Sequence, residues 1–131
     1  EAAKGAFENE GEVIAISPAK NKEEHVEKYR FPLSYISEIK YTHLGIPGRN
    51  LPLVIESDAV IIISGQIGTL NEFTIAFYHK KPIGILEGSG GITNLVKEIA
   101  DICGRVGEKD RIVYSAEPKI LINKLSDLNN Q

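Results

Sequence analysis

Ala59-Val60-Ile61-Ile62-Ile63-Ser64-Gly65-Gln66-Ile67-Gly68-Thr69-Leu70-Asn71-Glu72 is the stretch that decides the fold. Its first part, Val and Ile without polar alternation, predicts a strand over Ala59 to Ile63 that is buried on both faces, and so a parallel sheet covered by helices. Ser64 to Gly68 then makes a tight glycine-bearing loop. From Thr69 to His79, Leu70, Phe73, Ala76 and Phe77 recur at helical spacing, which predicts an apolar helix with those residues inward.

The same alternation continues on both sides. Downstream, a strand over Pro82 to Leu86 leads through Glu87-Gly88-Ser89-Gly90-Gly91 into a helix from Thr93 to Cys103. A last strand over Asp110 to Ser115 precedes a helix from Pro118 to Leu128, with Pro118 in its first turn. Upstream, Glu1 to Glu10 reads as helix, Gly11 stops it, and Val13 to Ser17 is a buried strand ended by Pro18. Ala19 to Arg30 is charged and reads as a surface loop or short helix. Ile36 to Tyr41 is strand-like, Leu44 to Gly48 a Gly/Pro loop, and Arg49 to Ser57 a helix in which Pro52 fits only near the first turn. Strands alternating with helices predict βαβ units and a three-layer Rossmann-like α/β sandwich with a mostly parallel sheet. Residues 1–131 contain no repeat or linker, so a single domain is expected.

Composition narrows the function. With 131 residues, 42% of them hydrophobic and 25% charged, the chain suits a globular domain, and its apolar runs are strand-sized rather than membrane-sized. Lys+Arg 15 against Asp+Glu 18 gives a net charge of -3 with no basic block. That argues against polymeric nucleic acid and anionic lipid as partners and leaves a small ligand. The one cysteine, Cys103, excludes an intramolecular disulfide and a multi-cysteine zinc site, and fits a reducing, cytoplasmic setting. Near the apolar face of its helix, it reads as a small buried thiol rather than a nucleophile. His25, His43 and His79 share no metal-ligand spacing, so neither a metal nor a cofactor is expected.

In an open α/β sheet, ligands sit beyond the carboxyl ends of the strands. There Gly65 and Gly68 let backbone N–H groups approach an anion, and the following helix adds its positive end, so a phosphate is the natural guest. The loop Gly88-Ser89-Gly90-Gly91 before Thr93 repeats that geometry in weaker form. A purely structural reading stands beside this one. Thr69 to Glu72 also spells a capping box, with Thr69 capping the helix and Glu72 reaching back, and glycines serve tight turns anyway. The two readings are compatible. Arg49 is either an anion clamp or a surface cation beside Glu56 or Asp58.

Ser64-Gly65-Gln66-Ile67-Gly68-Thr69-Leu70-Asn71-Glu72 resembles the hallmark Pro/Gly-Gly-Gly-x-Gly-Thr-x-x-Glu of the lysine decarboxylase-like Rossmann superfamily. That group includes the LOG (Lonely Guy) phosphoribohydrolases and a small prokaryotic branch of uncertain function. Arg49 and Asp58 stand at the family's nine-residue interval, and Gly48-Arg49-Asn50 and Gly88-Ser89-Gly90-Gly91-Ile92-Thr93 look like the smaller branch. The resemblance implies a catalytic pair, Arg49 and Glu72, with Gly65, Gln66, Gly68 and Thr69 around a nucleotide 5′-phosphate. It implies hydrolysis of the N-glycosidic bond of a nucleoside 5′-monophosphate, and a homodimer or higher homo-oligomer. The chain departs from the pattern at Ser64, Gln66 and Asn50, which favours ligand binding over turnover and keeps a non-catalytic nucleotide or cofactor sensor or carrier as the alternative. A pyridoxal phosphate decarboxylase is not expected, because no cofactor lysine is identifiable. The helix at Glu1 lacks a capping residue, and the family has a strand, a helix and a second strand before this point. Both lead to the expectation that an N-terminal βαβ portion is missing from this sequence.

Overall fold

The computed structural model describes residues 1–104, 107 and 109–129. The chain forms two compact units, Glu1–Leu53 and Val54–Gln131.

The first unit carries α1 (Ala2–Glu8), β1 (Ile14–Ser17), α2 (Lys22–Glu27), β2 (Glu38–Tyr41) and most of α3 (Gly45–Ile55). β1 and β2 pair in parallel, with Ile14 opposite Glu38 and Ser17 opposite Tyr41. Their exits are tied together, because the Thr42 N–H (3.0 Å) and hydroxyl (2.7 Å) both donate to the Ser17 carbonyl. The charged stretch after Pro18 is partly helical for a local reason. Asn21 caps α2 by accepting the Glu24 N–H at 2.9 Å, while Glu24 reaches back to the Lys20 N–H at 2.8 Å. That segment is not wholly surface, since His25 is buried.

α3 differs from its expected form. It begins at Gly45, inside the stretch read as a loop, so Pro47 occupies the first turn, where a missing N–H costs nothing. Pro52 consequently lies inside the helix rather than near its start. It has no N–H to offer the Gly48 carbonyl one turn back.

The second unit runs through β3 (Val60–Ile62), α4 (Ile67–Tyr78), β4 (Ile83–Leu86), a 3-10 turn (Gly91–Asn94), α5 (Val96–Cys103), a second 3-10 turn (Lys109–Arg111), β5 (Ile112–Ser115) and α6 (Pro118–Asn129). Its sheet has the order β3-β4-β5, and both pairings are parallel. Successive side chains of β4 point to opposite faces. Ile83 and Ile85 join Phe73 and Ala76 of α4 and Val96 and Ala100 of α5 in one buried cluster. Gly84 faces the other way, where a Cβ would stand 3.4 Å from Leu121 and Leu125 of α6. Helices therefore cover both faces of this sheet, and the α/β three-layer reading holds.

Three expectations need correction. β3 is an edge strand and is not buried on both faces: Ile62 is 2% exposed, but Ile61 is 42% exposed. The helix expected from Thr93 to Cys103 is broken at Leu95, because Gly90 and Gly91 enter it with positive φ and the chain first makes a 3-10 turn. Cys103, read as a buried thiol, is exposed. It is the last residue of α5, past the buried face that Val96 and Ala100 form.

The close approach of α6 to β4 gives a direct test of the layering. Gly84→Val would push methyl groups into Leu121 and Leu125. The expected loss is about 1–3 kcal/mol of unfolding free energy, measured by chemical denaturation, as for other overpacked cores.

Candidate functional site

The loop after β3 is shaped by two consecutive left-handed residues, Ser64 (φ 53) and Gly65 (φ 94). Glycine adopts that conformation freely, whereas a serine there pays about 1–2 kcal/mol in steric strain. Ser64 thus occupies a position whose backbone suits the Gly of the hallmark motif. Side chains also crowd the turn: a Cβ on Gly65 would collide with the Thr69 side chain.

The sharp reversal completes early, and this changes the reading of the helix start. α4 opens at Ile67 with Gln66 as its cap, so Thr69 is the third helical residue and not the cap itself. The capping box expected at Thr69 to Glu72 is therefore not built there. Gln66 has extended backbone, and its side chain makes no capping hydrogen bond. Its carbonyl accepts the Leu70 N–H at 3.0 Å. The helix thus presents its positive end beside the loop without a side-chain cap at its first position. Glu72, one turn beyond Thr69, lies on the same side of α4 and is half-buried.

The second glycine loop acts differently from the anion cradle that its composition suggested. Its polar groups hold the first loop. Ser89 Oγ accepts the Ser64 N–H at 2.8 Å while donating to the Leu86 carbonyl at 2.7 Å. The Ile92 N–H donates to the Gly65 carbonyl at 3.1 Å, and Thr93 Oγ1 closes its own loop by donating to the Gly90 carbonyl at 2.6 Å. Gly91 (φ 58) has no room for a side chain, because a Cβ would run into the Gly65 carbonyl oxygen. Ser89 and Gly91 are thus site-supporting residues that the sequence reading did not identify. The repeated Gly-Ser-Gly-Gly marked the loop but not its task.

Gly65, Gln66, Gly68, Thr69 and Glu72 are brought together on one loop and one helix end of the second unit. Arg49 belongs to the first unit, midway along α3, where it is half-buried and lines a cavity that also contains Ser17 and His25. A hydrogen bond from Lys28 holds the Glu24 carboxyl below its usual range, one from Lys109 does the same for Asp101, and burial pushes the Tyr114 hydroxyl up. Among the described residues, no group of three or more His, Cys, Asp and Glu could hold a metal ion, and no helix is long and apolar enough to cross a membrane.

Two substitutions separate the clasp from the strain. Gly91→Ala should destabilise the protein by more than about 1 kcal/mol, because it adds both a collision and a positive-φ side chain. Ser64→Gly should leave stability unchanged or raise it by up to about 1 kcal/mol, as relief of strain offsets the extra freedom of the unfolded chain. Denaturant unfolding of both variants checks the pair.

Comparison with known proteins agrees with this fold. The model of the SLOG cluster4 family matches residues 1–122. Among solved structures, TM1055, a structural genomics target, has a TM-score of 0.78 at 22% identity, covering 95% of this chain and 69% of its own. The molybdenum cofactor binding protein of the phototrophic bacterium Rippkaea orientalis has a TM-score of 0.75 at 26% identity, covering 97% of this chain and 68% of its own. No curated protein matches. The chain belongs to the SLOG cluster4 family, within the LOG-like SLOG superfamily that its Gly65 to Glu72 motif resembles.

Proposed function

We propose that this protein binds the phosphate of a nucleotide in the loop from Gly65 to Thr69 and hydrolyses the N-glycosidic bond of a nucleoside 5′-monophosphate. The observation that carries the reading is the start of α4. A helix end with no side-chain cap at Gln66 follows a left-handed Ser64-Gly65 turn at the carboxyl end of a parallel strand. Backbone N–H groups and the helix dipole together favour an anion at such a place. Gln66 and Thr69 supply further donors within the same loop.

In the proposed reaction, a water oxygen attacks C1′ of the ribose and loses a proton to the Glu72 carboxylate. The N-glycosidic bond breaks, and the base departs with the bonding pair and takes up a proton. The products are the free base and ribose 5-phosphate. Positive charge develops on the ribose ring as the bond lengthens, and a carboxylate stabilises it. Glu72 is the residue of this unit that acts on the substrate; Arg49, which the family resemblance pairs with it, belongs to the first unit.

A second reading is a nucleotide or cofactor carrier that does not turn its ligand over. Exposed Gln66, where the hallmark has glycine, favours it, since that side chain can hold a ligand that bare backbone would release. The molybdenum cofactor binding protein among the structural neighbours supports the same direction.

One experiment tests both. Purified protein is incubated with a panel of nucleoside 5′-monophosphates, free base is quantified by chromatography, and binding is measured by calorimetry. The hydrolase reading expects base release that falls about 100- to 10,000-fold in Glu72→Gln while binding stays within a few-fold. Binding without release, unaltered in Glu72→Gln, establishes the carrier instead. Absence of both binding and release sinks the nucleotide assignment.

A further inference from the structure

The first unit contains a buried serine and histidine that the proposed nucleotide chemistry does not use. Ser17 ends β1 and His25 lies in α2, and each is 2% exposed. Ser17 Oγ stands 2.8 Å from His25 Nδ1, and His25 Nε2 stands 3.3 Å from the Pro32 carbonyl oxygen. A carbonyl only accepts, so Nε2 carries the ring proton. In the neutral ring Nδ1 is then an acceptor, and the Ser17 hydroxyl donates to it. The imidazole also packs in T-shaped fashion against Phe31, at 5.5 Å between centroids, and Tyr41, at 6.2 Å.

The lone pairs of Ser17 can be followed one by one. A hydroxyl has one proton and two lone pairs. The proton goes to His25, and one lone pair accepts the Ala19 N–H at 3.2 Å. The second lone pair remains. A purely architectural pair would need no space in front of it. Here a cavity of about 240 Å³ touches Ser17, His25 and Pro32, has apolar walls that include Ile16 and Ile36, and is also lined by Arg49. Nucleophile, base, a group orienting the base and a positive charge for a developing oxyanion are the four parts of an acyl-transfer site. The recess opens to solvent, and the space beside the pair suits a small acyl group.

We propose that Ser17 is a nucleophile and His25 its general base, and that the pair hydrolyses short-chain carboxylic esters in this cavity. The Ser17 Oγ lone pair attacks the ester carbonyl carbon as its proton passes to His25 Nδ1. The carbonyl π electrons move onto oxygen, which the Arg49 charge stabilises. When the carbonyl re-forms, the bond to the alcohol oxygen breaks, and that oxygen takes the proton from His25, leaving acyl-Ser17. Water then gives a proton to His25 and attacks the acyl carbon. The Oγ–acyl bond breaks, Ser17 recovers the proton, and the acid leaves. The sum is ester plus water to acid plus alcohol, with nothing oxidised or reduced. The Pro32 carbonyl, accepting from Nε2–H, stabilises the imidazolium at each stage.

The test uses the whole chain. Release of p-nitrophenol from p-nitrophenyl acetate and butyrate is followed, and the native protein is treated with methanesulfonyl fluoride, digested and mapped by mass spectrometry. Ester turnover above the buffer rate, at least a hundredfold loss in Ser17→Ala and in His25→Gln, and a sulfonyl adduct on Ser17 are expected. The adduct is read on the unsubstituted protein, so it decides the matter even if a variant fails to fold. Native protein without an adduct on Ser17, or turnover unchanged in folded Ser17→Ala, overturns the proposal and leaves Ser17 and His25 as a structural hydrogen bond. Base release from nucleotides reads the other unit's loop, so either result there leaves this one standing.

Discussion

The turn between β3 and α4 depends on a hydrogen bond made from outside it. Ser64 and Gly65 both stand in the left-handed region, and a serine does not hold that conformation unaided. Ser89 takes up the Ser64 N–H, and the Ile92 N–H takes up the Gly65 carbonyl, so the neighbouring loop holds the peptide groups on either side of the turn. Everything downstream follows from that constraint. The chain reverses before Gln66, α4 begins at Ile67, and Thr69 is moved from cap to first turn. Strain at such a turn persists only where surroundings overdetermine it, and here the surroundings are a second loop with its own glycine at the point of closest approach.

Much of this architecture was legible from periodicity. Leu70, Phe73, Ala76 and Phe77 announced the inward face of α4, and Phe73 and Ala76 are indeed fully buried. Pro118 marked the first residue of α6, where its fixed φ is an advantage and its missing N–H is no loss. What escaped the reading depended on contacts between distant residues. An apolar run such as Ala59 to Ile63 looks alike in a central strand and an edge strand, because the sequence of one strand does not state how many neighbours it has. Pro47 and Gly45 look like loop residues, yet both are permitted in a first helical turn. Gly88 to Gly91 looks like an anion cradle because glycines serve close backbone approach, whether the approaching group is a ligand or another loop.

The same limit applied to the sites. Gly65, Gly68, Thr69 and Glu72 were picked out as a candidate site because their spacing is local and the motif is contiguous. Ser17 and His25 were not, because nothing in a charged stretch between Ala19 and Arg30 indicates that one of its residues turns inward to meet the end of a strand. The imidazole is buried because Ser17 and Pro32 satisfy both of its nitrogens, a pairing that spans fifteen residues of chain from Ser17 to Pro32.

The bond from Ile92 to Gly65 also has a directional effect. In a planar trans peptide the C=O and N–H vectors are antiparallel. Drawing the Gly65 carbonyl toward Ile92 therefore turns the Gln66 N–H in the opposite sense, away from the second loop. The direction of that donor is thus set during folding by a contact within the protein, and any anion bound there would meet a peptide already oriented.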